Sequence, residues 1–208
     1  MSGGCCGEEH DFDGVSDGYR RRLWLVIAIN AVMFAVEIVA GQMSGSRALQ
    51  ADALDFLGDS LTYALSLYVI GMSLRVRARA AMLKGVSLLA MGCWVLGTTV
   101  WGAIAGGTPE AATMGAVGFM ALAANLASVA LLMAYREGDA NVRSVWLCSR
   151  NDAIGNVAVM IAALGVWGSS TGWPDLIVAA IMAGLFVSSA AQIIRRAAAE
   201  MREAAAAT

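Results

Sequence analysis

The 208-residue chain carries 14 Lys and Arg against 16 Asp and Glu, and 59% of it is hydrophobic with only 14% charged. A soluble domain is roughly 45–50% apolar and about 25% charged, so this chain lacks the charge to cover a water-exposed surface. The same figures exclude a disordered chain, a collagen and a small disulfide scaffold, and a net charge of -2 with no basic block gives no footing for nucleic acid.

Residues 1–19 have no Lys or Arg and include Glu8, Glu9, Asp11, Asp13 and Asp17. A secretory leader begins basic and then turns apolar; this segment reads instead as an acidic, mobile cytoplasmic tail. Residues 20–196 hold six apolar runs of membrane-spanning length, about 20 residues each: Leu23–Met43, Leu49–Leu74, Met82–Ala105, Ala111–Tyr135, Val145–Val166 and Leu176–Ile194. Between them lie Gly41–Ser46, Arg75–Arg79, Gly106–Pro109, Arg136–Asn141 and Gly168–Pro174, each read as a break. Backbone groups in lipid must be satisfied as helix or closed barrel, and no run alternates with period 2. The expected fold is an all-α, six-helix transmembrane bundle with antiparallel neighbours. Residues 197–208 form a short Ala-rich, helix-prone tail.

Charge sets the expected orientation. All 14 Lys and Arg except Arg47 fall in the amino-terminal segment, after the second run, after the fourth, or after the sixth. The positive-inside rule then places both termini in the cytoplasm, in a multi-pass protein whose first partner is the lipid bilayer.

Four acids fall well within apolar runs, Glu37, Asp55, Asp59 and Asp152, with Asp52 near the outer end of the second. A carboxylate in the bilayer core costs at least about 2.5–3.5 kcal/mol and marks a functional site by default. Asp55 and Asp59 stack on one helical face. Their mutual repulsion is relieved if one is protonated or a cation lies between them. Cys148 and Asp152 repeat the spacing in the fifth run. At 1.5 Å per residue, Asp59 lies about 15 Å and Asp152 about 14 Å into their spans, both near the middle of a core about 30 Å thick. Two such pairs meeting at one depth would make a four-ligand site of the kind zinc prefers, or a proton site.

On these residues the sequence resembles the cation diffusion facilitator family. Asn30-x6-Glu37-x3-Gly41 is similar to its first helix, Gly45 through Asp59 to its second-helix signature, and Asn141 through Asp152 to its fifth-helix signature. The resemblance implies a non-enzymatic secondary transporter of the bacterial inner membrane, a homodimer that exports a divalent cation in exchange for protons and holds no resident cofactor. It also implies Asp55, Asp59, Cys148 and Asp152 as the transport site. The third position is His in the usual zinc members. Cys148 there favours zinc or softer ions such as cadmium or mercury over manganese and magnesium, with cobalt also within the family's range. The family usually continues into a cytoplasmic metal-binding domain and often carries a His-rich loop. This chain has one His, His10, and stops after the sixth run, so a dimer is expected to rest on the helices. Those departures also keep open a transport-inactive metal sensor or regulatory partner.

The remaining features divide between chemistry and packing. Cys5, Cys6 and His10 among tail carboxylates could capture metal for the pore, or simply lie in an acidic tail. Asn30, Asn125 and Asn156 are read as buried amides making interhelical hydrogen bonds, and Asn156, one turn beyond Asp152, also as a residue supporting the site or its pathway. Glu37 reads as a structural partner rather than a ligand. Gly102 and Gly106 form a GxxxG suited to close packing. Cys93 reads as a small packing residue, Trp94 as deeper in its span and packing, and the other five Trp as an interfacial belt.

Overall fold

The computed structural model describes residues 16–69, 72, 74–135 and 140–206, with the side chains of 74, 77, 140–148 and 203–206 outside the description. Among the described residues there are six α-helices and no strand: α1 Asp17–Ser44, α2 Arg47–Val69, α3 Leu74–Ala105, α4 Ala111–Leu132, α5 Ala140–Ser169 and α6 Trp173–Ala206. Five of them, all but α2, are long and apolar enough to cross a membrane. The second helix is long enough as well, but Asp52, Asp55 and Asp59 fall within its central turns and lower its apolar content.

Helix ends follow local chemistry. Ser16 caps α1 by accepting from the Tyr19 amide at 3.2 Å, as an N-cap hydroxyl does. That helix stops at Gly45, whose φ of 72° is a left-handed C-cap. Ala105 ends α3, and Gly106 and Gly107 follow at φ 74° and 120°. Gly106 therefore serves the turn, and the expected GxxxG pair is not a continuous helical face. Gly102 packs within the chain: a Cβ there would sit 3.1 Å from Leu176 Cδ2.

One expected break is helical. Arg75, Arg77 and Arg79 lie inside α3, which begins at Leu74, and Met72 before it is not helical. Arginine ends an apolar run but is a good helix former, so charge marks the limit of the membrane, not of the helix. The Ala-rich carboxy-terminal stretch likewise prolongs α6 to Ala206.

The helices associate as two groups. α1, α2, α4 and α5 pack together, and α3 lies along α6. Glycines bring that last pair close: a Cβ on Gly85 would come 2.7 Å from Ile194 Cγ1, and one on Gly92 would come 3.0 Å from Phe186 Cβ. The two ends of the bundle are identifiable from contacts. At one, Arg22 of α1 donates to the Leu131 carbonyl near the end of α4 and lies over the Tyr135 ring. At the other, the Glu110 amide donates to the Ser44 carbonyl, and Ser46, Arg47 and Ala48 meet Asp175. The first end holds the start of α1 and the basic start of α3.

Two packing expectations fail. Cys93 and Trp94 are exposed on the outer face of α3, Trp94 by 64%. Apolar composition around a residue in a membrane helix does not distinguish a core position from a lipid-facing one. Trp24, Trp101, Trp167 and Trp173 are exposed near helix ends as a belt requires; the Trp146 side chain lies outside the described residues.

Candidate functional site

Helical periodicity turns the acids of α2 into a stripe. Asp52, Asp55, Asp59 and Tyr63 follow one another at three or four residues, and such positions share a face. On α5, positions 148, 152 and 156 do the same. The two stripes meet where α2 touches α5.

Asp55, Asp59 and Asp152 are half-buried and line one cavity of about 1200 Å³. The carboxyl of Asp152 lies within hydrogen-bonding reach of both Asp55 and Asp59. Tyr63 donates a hydrogen bond to Asp59 Oδ2, which aims that carboxyl group. The spacing of acids does not single out Tyr63. Its place one turn beyond Asp59 is the only signal the sequence offers for it.

The cavity runs from this cluster between α2, α3, α5 and α6 to Lys84, Arg195 and Arg196 at the basic end. On the opposite side it is shut by packed apolar groups including Leu49, Val95, Val159 and Phe186. Beyond them, Asp175 of α6 is 1% exposed and accepts from Ser46 Oγ at 2.6 Å, from the Arg47 amide at 2.8 Å and from the Ala48 amide at 3.0 Å. It thereby caps the start of α2, whose first amides would otherwise lack acceptors, and ties α6 to α2 at the closed end. The cavity is open to one side of the bundle.

Among the expected site residues, the structure brings Asp55, Asp59 and Asp152 together. Among the described residues no three His, Cys, Asp or Glu are closed up into ready coordination geometry. The α5 backbone is helical through residue 148, one turn before Asp152, but the Cys148 side chain lies outside the described residues, as do Cys5, Cys6 and His10 entirely.

Asn156 supports α2 directly. Its Nδ2 donates to Asp52 Oδ2 at 2.6 Å and its Oδ1 accepts from Asn125 Nδ2 at 2.9 Å. The interhelical role expected of Asn125 and Asn156 is thus met, whereas Asn30 Oδ1 is buried without a partner among the described residues. The donor set at the cluster is anionic, oxygen-rich and reachable from one aqueous side, which suits a hard or borderline divalent cation.

Comparison with known proteins agrees. Residues 23–201 match the cation efflux transmembrane domain family. The chain is similar to the zinc transporter ZitB of Escherichia coli K12, with 31% identity over 91% of this chain and 64% of that protein. It is 28% identical to ZitB of Yersinia pestis, over 91% of this chain and 65% of that one. It is also 25% identical to the metal cation efflux system protein CzcD of Cupriavidus metallidurans, over 87% of this chain and 60% of that one. The chain thus spans less than two thirds of the length of these relatives. With its apolar helices and a family match over most of its length, the chain is a multi-pass integral membrane protein and belongs to the cation efflux family.

Proposed function

We propose that the protein exports a divalent transition-metal cation, zinc foremost, from the cytoplasm of a bacterial cell across the inner membrane by exchange for protons. The carrying observation is the meeting of Asp55, Asp59 and Asp152 in one cavity that opens at the basic end. Positive-inside topology makes that end cytoplasmic. ZitB, by its name a zinc transporter, supports zinc as the first cargo to test.

In this reading the cation enters past Lys84 and is held by Asp55, Asp59 and Asp152, with Cys148 as the fourth ligand. A cluster of bare carboxylates in the membrane interior is too costly to persist, so the site holds either metal or protons. Metal binding requires ionised carboxylates and a thiolate and therefore releases protons. When the closed end opens and the basic end shuts, protons from outside displace the metal. The exchange follows from competition at one site with alternating access. A homodimer built on the helices completes the proposal.

The test is zinc flux in proteoliposomes under an imposed proton gradient at fixed membrane potential. Inward-directed protons are expected to accelerate efflux, and Asp152→Asn to abolish it while the bundle stays folded, since an amide is a poor ligand for a divalent cation. Flux indifferent to the gradient would replace exchange by facilitated diffusion. Zinc binding without any flux would favour a sensor.

A further inference from the structure

One buried acidic pair takes no part in that scheme. Glu37 of α1 is 0% exposed and Asp52 of α2 is 1% exposed. Their carboxyl groups lie within hydrogen-bonding reach of each other. Neither Glu37 oxygen has a hydrogen-bond donor among the described residues. Asp52 has one, the Asn156 amide on its Oδ2, and Asn156 is in turn held by Asn125 of α4.

Two carboxylates cannot hydrogen-bond to each other, because ionised carboxyl groups only accept. Like charges that close in a dry interior repel strongly. The groups facing the pair do not supply compensation. From α2 comes Asp55, a further acid. From α5 comes the neutral Asn156, with acidic Asp152 one turn away, and from α4 the neutral Asn125. No basic group among the described residues offsets the charge of either acid. The one arrangement that satisfies this geometry places a hydrogen on one carboxyl and directs it at the other.

We infer that Glu37 and Asp52 share one bound proton and form a proton site separate from the Asp55–Asp59–Asp152 cluster. Asn156 fixes which Asp52 oxygen is left for that proton, because its amide occupies Oδ2. The pair lies one helical turn further from the cavity mouth than Asp55 and is at most 1% exposed, so its proton is sealed while the molecule is open at the basic end. Losing it would set two charges against each other between α1 and α2. Release therefore requires a conformation that wets the pair. The inference stands whether or not the cluster takes up metal.

Infrared spectroscopy of the purified, metal-free full chain in lipid nanodiscs near neutral pH tests it, through the carbonyl stretch of a protonated carboxylic acid. Asp55→Asn, Asp59→Asn and Asp152→Asn combined remove the acids of the cluster. In that background the protonated-carboxyl band is expected to remain, and to shift only slowly after transfer to heavy water. Adding Glu37→Gln, or separately Asp52→Asn, is expected to abolish it. Either amide donates to the remaining carboxylate in place of the shared proton, so the fold is kept. Wild type minus Glu37→Gln gives the same comparison if the triple variant does not assemble. A band that survives either substitution, or that shifts at once in heavy water, overturns the inference. Failure of zinc transport in the proteoliposome assay would leave this band untouched, so the two readings fail independently.

Discussion

Replacing Asp175 by Ala should loosen the closed end of the bundle and lower stability. The carboxylate accepts from Ser46 Oγ, the Arg47 amide and the Ala48 amide, at 2.6, 2.8 and 3.0 Å, with only 1% of the residue exposed. Hydrogen bonds to a charged acceptor each contribute about 1.5–3 kcal/mol net, and a buried donor left unpaired costs about 1–3 kcal/mol. The three are not additive, because they share one acceptor group. Ser46 also keeps a second role after the substitution, accepting from the Leu49 amide at 3.0 Å, so α2 retains part of its cap. The expected loss is about 3 kcal/mol, the combined size of a lost cap and one or two orphaned amides. For a chain of this size that corresponds to a fall of about 6–12 °C in Tm. Thermal unfolding in detergent micelles, followed by circular dichroism, measures it. Asp175→Asn keeps one acceptor oxygen but turns an amide NH2 toward backbone donors, so it should lose a similar amount rather than rescue. A change below about 0.5 kcal/mol in Asp175→Ala, the range of ordinary surface substitutions, would refute the view that this carboxylate joins α6 to α2.

Three further outcomes are expected. Tyr63→Phe removes the hydroxyl that donates to Asp59 Oδ2 and orients that carboxyl, so apparent zinc affinity should fall about tenfold, or about 1.4 kcal/mol, in concentration-dependent uptake with the fold intact. Gly92→Leu forces bulk against Phe186 and Val187, already 3.0 Å from a Cβ at that position; overpacking of this kind costs about 1–3 kcal/mol, read as a lower Tm, whereas Gly97→Leu, with nothing within 4 Å, should cost far less. Cys148→His should shift transport from cadmium and mercury toward zinc, because imidazole is less soft than thiolate; an unchanged preference across the three metals would remove Cys148 from the ligand set.

Relations inside one helix are legible in the sequence. The i, i+4 spacing of Asp55 and Asp59 puts both on one face because an α-helix turns every 3.6 residues, and the cavity lined by both agrees. Six apolar runs become six helices because in lipid the backbone has almost no other way to satisfy itself. Boundaries are less legible where charge and helix propensity diverge, as at Arg75–Arg79, which leave the apolar run without leaving the helix. Relations between helices belong to the tertiary structure. Glu37 and Asp52 stand out singly in the sequence, but that they face each other depends on how α1 and α2 are rotated about their axes. Asp175 carries no signal in the sequence, and only the packing of α6 brings it onto the first turn of α2. Trp94 reads as core by composition and is 64% exposed, because lipid rewards an apolar surface as well as an apolar interior. A periodicity fixes which residues share a face; only packing decides what that face meets.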